Sequence, residues 1–125
     1  MEKLPKYRWQ KGQMNKEDII YHISHFPNSS AIFVNCGEAL ESEIREKLFD
    51  ITTIVDMNRI TLHNKARITF AHNILTLEDA HLYAGYEYDT MAIYTRDMSE
   101  DAIEFMKAGL RSTIYLPRII YQEDK

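Results

Sequence analysis

A short apolar run at residues 31–35 does most to limit how this chain can fold. The run reads Ala-Ile-Phe-Val-Asn, and its first four side chains show no alternation between polar and apolar residues. A strand with this pattern is typical of a parallel sheet that is covered on both faces. Segments of helical periodicity stand on either side of the run, as the crossover connections between parallel strands require.

Apolar residues at helical spacing predict several helices along the chain. In the first, Ile19, Ile20 and Ile23 share one face. Asn15 can cap the start of this helix, and Pro27 ends it. The predicted helices cover residues 15–26, 38–49, 77–83 and 99–110.

The strands alternate with these helices. Besides 31–35, we predict strands at residues 51–55, 59–62, 67–70, 90–95 and 113–116. Residues 63–66 join two of them as a β-hairpin turn. This order predicts an α/β fold, with a three-layer, mostly parallel sheet that has helices on both faces and includes one β-hairpin.

Composition indicates one domain without linkers. The chain has 125 residues, of which 45% are hydrophobic and 27% charged, and it contains only four glycines and three prolines. This length can bury a hydrophobic core, and the scarcity of glycine and proline gives no domain boundary. We therefore predict a single α/β domain over residues 1–125, with residues 1–10 as a basic, aromatic N-terminal arm or edge strand.

The same composition limits location. No apolar run reaches the roughly 18–20 residues that span a bilayer, and the start of the chain has no apolar core typical of a secretory signal. Cys36 is the single cysteine, so no internal disulfide can form. These features predict a cytoplasmic protein without a membrane partner.

The N-terminal arm concentrates positive charge in a chain whose net charge is −4. Basic residues with interleaved aromatics can follow a phosphate backbone and stack on bases, which makes nucleic acid a candidate partner. The alternative is a solvated arm or edge strand, which we favour because so few cations are not diagnostic. The candidate arm residues are Lys6, Tyr7, Arg8, Trp9 and Lys11.

Two loops are candidates for binding a nucleotide, because parallel sheets hold ligands at the carboxyl ends of their strands. In the loop before the first helix, Lys16 stands where a phosphate-binding P-loop has its lysine. Asn15 stands where the loop has a glycine, and Glu17 replaces the magnesium-binding hydroxyl. The other loop follows the strand at 31–35. The candidate nucleotide-binding residues are Gln13, Asn15, Lys16, Glu17, Cys36 and Gly37.

Residues 11–96 resemble the ATPase core of phage large terminases and related helicase-like P-loop ATPases. The segments that carry the resemblance are KGQMNKEDII at the P-loop, SSAIFVNCGEALESEIREKL at the next strand and helix, RITLHNKARITFAHN at a hairpin, and AHLYAGYEYDTMAIYTRD at the Walker B strand. The resemblance implies a P-loop NTPase-like version of the three-layer fold.

Departures from that family's pattern imply that catalysis is lost. Thr95 and Arg96 stand where the Walker B strand has adjacent acids, and Asp97 is one residue too late. Ala84 replaces the arginine before Gly85. Phosphoryl transfer depends on metal and positioned charges, so we expect no enzymatic activity. The resemblance implies a phage or mobile-element pseudo-ATPase in the host cytoplasm, which binds a protein as a regulator, inhibitor or assembly factor.

Two other functions stay open. One is residual binding of ATP, ADP or nucleic acid through Lys16, the N-terminal arm and the loop at Cys36. The other is an enzyme of unrelated chemistry that uses Cys36 or histidines. His22 and His25 lie three apart on the first helix but lack an evident third ligand, so we predict neither a metal nor a resident cofactor. Oligomeric state is left open. Tyrosines at 83, 86, 88 and 94 predict either a protein interface or local packing.

Overall fold

The structure is a computed structural model that describes residues 16–110 and 118–122. Its helices are α1 (Lys16–His25), α2 (Glu38–Lys47), α3 (Leu77–Ala80) and α4 (Glu100–Lys107). Its strands are β1 (Ser30–Val34), β2 (Thr52–Asp56), β3 (Arg59–Leu62), β4 (Arg67–Ala71), β5 (Thr90–Tyr94) and β6 (Arg118–Gln122). Short 3₁₀ turns occupy Phe49–Ile51 and His81–Tyr83. None of these helices is long and apolar enough to cross a membrane.

The strands form one mixed sheet in the order β2-β3-β4-β1-β5-β6. Strand β1 pairs in parallel with both β4 and β5, and β5 pairs in parallel with β6. Strand β3 runs antiparallel to β2 and to β4. The chain is therefore mixed α/β, as the alternation of its helical and strand patterns predicts.

Strand β1 lies at the centre of this sheet and is buried along its whole length. Alternate side chains of the strand enter two different hydrophobic clusters. Ala31 and Phe33 belong to the first cluster, and Ile32 and Val34 belong to the second. Because successive strand residues point to opposite faces, the two clusters lie on opposite sides of the sheet.

Each cluster is completed by a pair of helices. The first contains Ile19 and Ile23 of α1 together with Ile44 of α2. The second contains Ala80 of α3 and Met106 of α4. The apolar faces of the helices are thus buried against β1 and its neighbours, at a gain of about 1.5–3 kcal/mol for each large side chain that leaves water.

Residues 63–66 form the predicted hairpin turn between β3 and β4. Lys65 adopts a φ of 71°. This is the left-handed backbone conformation for which two-residue hairpin turns usually have a glycine. The Asn64 side chain accepts a hydrogen bond from the amide of Ala66 at 3.0 Å and donates to the carbonyl of Ile23 at 3.0 Å. Asn64 therefore both shapes the turn and fixes it to the last turn of α1.

A second hairpin joins β2 and β3 through Met57 and Asn58. Arg45 of α2 donates to the carbonyl oxygens of Asp56 at 3.2 Å and Met57 at 2.9 Å. Its guanidinium carbon also lies 5.1 Å from the ring centre of Phe70 on β4. One arginine thus connects α2, the β2–β3 turn and β4.

The last described strand, β6, was not predicted from the sequence. We predicted a strand at 113–116 that closes before Pro117, and those residues lie outside the described part of the chain. Strand β6 begins at Arg118, immediately after the proline, and runs parallel to β5. A proline just before a strand is compatible with pairing, because no ladder hydrogen bond is required from its nitrogen. The predicted N-terminal arm, residues 1–10, also lies outside the described residues.

His22 should make folding sensitive to mild acid. The residue is 1% exposed, and burial lowers its pKa from 6.5, although the negative charge of Asp89 opposes this shift. The folded state therefore binds a proton less readily than the unfolded chain, so stability is full above pH 6.5 and falls as the pH drops below it. Urea denaturation at pH 7.5 and 5.5 measures the loss, which should be smaller in His22→Gln.

The exposed His25 provides the control for this experiment. His25→Gln should lose as much stability between the two pH values as the unmodified chain. Equal losses in His22→Gln and His25→Gln would show that another group carries the pH dependence.

Candidate functional site

The carboxyl ends of β4, β1 and β5 lie side by side at one edge of the sheet. At this edge, successive connections of the chain lead to opposite sides of β1. From β1 the chain returns to β4 on one side, and from β4 it crosses to β5 on the other side. Ligands in open α/β sheets bind in the crevice at such a switch point. Residues 35–37, 72–76 and 95–99 form the three loops at this edge.

Asn35 closes the crevice between the first two loops. Its backbone amide donates to the carbonyl of Ala71 at 2.7 Å. Its side-chain amide donates to the carbonyl of Ile74 and accepts from the amide of Ile74, both at 2.9 Å. The loop after β1 is therefore joined to the end of β4 by one hydrogen bond and to the loop after β4 by two.

Each of these loops contains a residue with left-handed backbone geometry. The φ angles are 59° at Asn35, 60° at Asn73 and 62° at Asp97, and Gly37 has a φ of 89°. Asn and Asp adopt this region more readily than other residues with a side chain. The sharp reversals place the loop backbones close to the strand ends.

Glu41, in the first turn of α2, is held by two cationic or polar partners. Oε2 accepts from Nε of Arg45 at 2.8 Å, and Oε1 lies 2.7 Å from Nε2 of His72. The carboxylate is only 14% exposed. Both of its oxygens are thus engaged within the protein rather than turned toward a ligand.

Cys36 lies beside this carboxylate and is half-buried. Burial, together with the negative charge of Glu41, raises the pKa of the thiol to about 12. Reactive cysteines need a lowered pKa, because the thiolate is the nucleophile. The thiol therefore stays protonated at neutral pH. This disfavours the alternative in which the chain is an enzyme of unrelated chemistry that uses Cys36.

The predicted nucleotide-binding residues lie at both ends of α2. Cys36 and Gly37 precede its first residue, whereas Glu17 of α1 forms a 3.5 Å ion pair with Lys47, its last residue. At 1.5 Å per residue the two ends are about 15 Å apart. Lys16 is the first residue of α1. The remaining candidates, Gln13, Asn15 and the arm residues Lys6, Tyr7, Arg8, Trp9 and Lys11, lie outside the described residues.

Strand β5 leads into the loop that the resemblance equates with the Walker B acids. The strand ends at Tyr94, and Thr95 and Arg96 follow it directly. Burial raises the pKa of the Tyr94 hydroxyl, with further contributions from Cys36 and Glu43. Asp97 is exposed in the left-handed turn beyond.

Three of the histidines, His25, His72 and His81, have different partners in the fold. Nδ1 of His25 lies 2.9 Å from the carbonyl oxygen of Tyr21, and the ring of His81 packs edge-on against Phe105 at 4.9 Å. His72 contacts Glu41. In residues 16–110 and 118–122, no group of three His, Cys, Asp or Glu side chains could hold a metal ion.

An exposed apolar surface lies at the edge of the sheet and was not predicted from the sequence. We call this surface the β2 edge. It comprises Phe49, Ile51, Ile54, Val55 and Met57. Phe49 is 72% exposed, Val55 66% and Met57 95%. The β-branched residues of β2 suit a buried strand as well as an exposed one, and its place at the end of the strand order reveals the exposure.

No protein-family model and no curated protein matches the chain.

Cys36 should react slowly with alkylating reagents. With a pKa of about 12 instead of 9.0, its thiolate is scarce at pH 8, so iodoacetamide should modify the folded chain about 1,000-fold more slowly than the chain in urea. Glu41→Gln removes a neighbouring negative charge and should accelerate the reaction. Mass spectrometry of timed samples measures both rates.

Glu46→Gln removes an equal charge from the exposed far end of α2 and serves as the control. It should leave the alkylation rate unchanged. Modification of the folded chain as fast as in urea would contradict a buried, protonated thiol.

Proposed function

We propose that this chain is a non-catalytic α/β binding module that recruits a protein along the β2 edge and acts as a regulator, inhibitor or assembly factor. The observation that carries the proposal is the exposure of Phe49, Val55 and Met57 at the end of the sheet. All five residues of the β2 edge fall within residues 49–57, and exposed apolar side chains that are grouped in this way are typical of an interaction surface.

The backbone of β2 supports the same proposal. Among the described strands β2 pairs only with β3, so no described strand covers the outer side of its backbone. Natural edge strands are commonly protected by lysine or proline, and residues 49–56 contain neither. An extended segment of a partner can add to such an edge through main-chain hydrogen bonds, while its apolar side chains contact those of β2.

The carboxyl edge supports a role without catalysis. Glu41 is engaged on both oxygens, and Asn35 joins the loops that would form a crevice. Phosphoryl transfer depends on free charged groups that neutralise the transferred phosphoryl group and its metal. The Glu41 carboxylate, in the first turn of α2 at this edge, is already paired with Arg45.

Descent from a P-loop ATPase is part of this proposal. Its support is the order of elements: α1 begins at Lys16, β1 leads into the loop at Cys36, a hairpin follows, and β5 leads into Thr95 and Arg96, which the resemblance aligns with the Walker B acids. Helix pairs on opposite sides of the sheet fit a three-layer, P-loop-like arrangement. A phage or mobile-element scaffold that lost its catalytic acids would keep protein binding as its function.

A photo-crosslinking amino acid at Val55 should capture the partner inside cells. Strand addition places position 55 within the interface, so a discrete adduct is expected and should disappear when Met57→Lys is added. Both positions are exposed, so the substitutions should change folding stability by less than about 0.5 kcal/mol. Gel electrophoresis detects the adduct and mass spectrometry identifies it.

Glu104 of α4, whose side chain is 70% exposed, provides the matched control position, because α4 connects β5 to β6 at the other end of the strand order from β2. The photo-crosslinker at Glu104 should give no such adduct. Equal products from both positions, or none from position 55, would refute recruitment by the β2 edge. An adduct of twice the chain mass would identify a second copy as the occupant.

Calorimetry distinguishes this proposal from the alternative that the chain still binds a nucleotide through Lys16. Titration with ATP and magnesium at low salt should give no heat that depends on Lys16, because Glu17 is paired with Lys47 and lies at the far end of α2 from Gly37. Lys16→Ala should therefore behave like the unmodified chain. A saturable heat that Lys16→Ala abolishes would favour the residual nucleotide binder instead.

A further inference from the structure

A polar groove opens on the sheet face that carries the second hydrophobic cluster, away from both the carboxyl edge and the first cluster. Its volume is about 750 Å³. Arg59 of β3 and Arg67 of β4 lie in its floor, and Tyr83, Tyr86 and Tyr88 line its wall. This size is within the range of small-molecule sites, which is about 300–1,000 Å³.

Strand register places the two arginines next to each other. Arg59 pairs with Thr69, and Arg67 pairs with Thr61. The arginines are therefore diagonal neighbours on one face, with backbones about 7–8 Å apart. The intervening residues Ile60 and Ile68 enter the first cluster, so alternation directs both arginines to the opposite face. Two guanidinium groups at this separation can converge on one phosphate.

The positive charge of the floor is only weakly compensated. Arg67 has no ion-pair partner among the described residues. Arg59 has one contact with Asp56 at 3.8 Å, and because each side chain is about half exposed, such a contact contributes little. Glu87 supplies the acidic side chain of the lining. The groove thus keeps a net positive charge that favours an anion.

The wall offers aromatic surface and hydrogen-bonding groups. Tyr86 is 59% exposed, which leaves its ring accessible. The Tyr88 hydroxyl forms a hydrogen bond with Thr69, and burial raises its pKa to about 12, so it remains protonated. Asn58 and Glu87 add an amide and a carboxylate to the lining. An accessible aromatic ring can stack on a flat heterocycle, and the amide and carboxylate can bond to its edge.

We propose that this groove binds a nucleotide, with its phosphate between Arg59 and Arg67 and its base against Tyr86. The combination of paired guanidiniums, an exposed ring and polar edge groups matches the parts of a nucleotide better than it matches a simple anion. The nucleotide is either a free mononucleotide or one unit of a single-stranded nucleic acid. The site shares no residue with the β2 edge or with Lys16, Cys36 and Gly37.

Titration calorimetry with AMP, UMP and inorganic phosphate tests for the free mononucleotide, and fluorescence anisotropy of a labelled hexathymidylate tests for the single strand. Arg67→Gln should weaken the binding of whichever nucleotide probe binds by at least about tenfold. For the single strand it should also reduce the slope of log affinity against log salt by about 1. Tyr86→Ser should weaken nucleotide binding while leaving that of inorganic phosphate unchanged.

Lys47→Gln removes one cation from α2, on the other face of the sheet, and should leave every affinity unchanged. Residues 67 and 86 are exposed, so thermal melting should confirm that both groove variants are folded. The proposal is overturned if no nucleotide probe binds at millimolar concentration, or if Arg67→Gln binds as tightly as the unmodified chain. It is also overturned if inorganic phosphate binds as tightly as the mononucleotides.

Discussion

Complete burial of β1 is the constraint on which the rest of this structure depends. Alternate side chains of the strand enter separate hydrophobic clusters, so each face of the sheet needs its own helices. Parallel pairing with β4 and β5 occupies both edges of β1 and requires crossover connections. The strand order follows from these requirements, and it brings the loops after β4, β1 and β5 to one edge.

The carboxyl edge produced in this way satisfies its own polar groups. Asn35 bonds to Ile74 through both ends of its amide, and Glu41 contacts Arg45 and His72. Such internal pairing stabilises the loops, because buried polar groups are costly without partners. It also removes groups that chemistry would use. The two surfaces that we propose for binding lie elsewhere, at the β2 edge and in the groove between Arg59 and Tyr86.

Local patterns predicted the parts of the fold that local physics decides. Apolar spacing located α1 and α2, and the turn at 63–66 was identified between two alternating strands. Properties that depend on distant residues were not accessible from the sequence. The raised pKa of Cys36 comes from its burial and from Glu41, and the groove joins Arg59 and Arg67 to Tyr86 through the packing of separate segments. Strand β6 was not predicted, because Pro117 was interpreted as the end of the last strand rather than as the residue before a further strand.

The two proposed binding surfaces meet at the β2–β3 turn. Met57 belongs to the β2 edge, and the next residue, Asn58, lines the groove. Arg45 holds this turn from α2 through the carbonyl oxygens of Asp56 and Met57, and the Asn58 carbonyl accepts from the amide of Phe70 at 2.8 Å. A turn fixed from two directions keeps the surfaces in a constant relation. A protein strand added to β2 would therefore end beside the groove, where the same partner could contact a bound nucleotide.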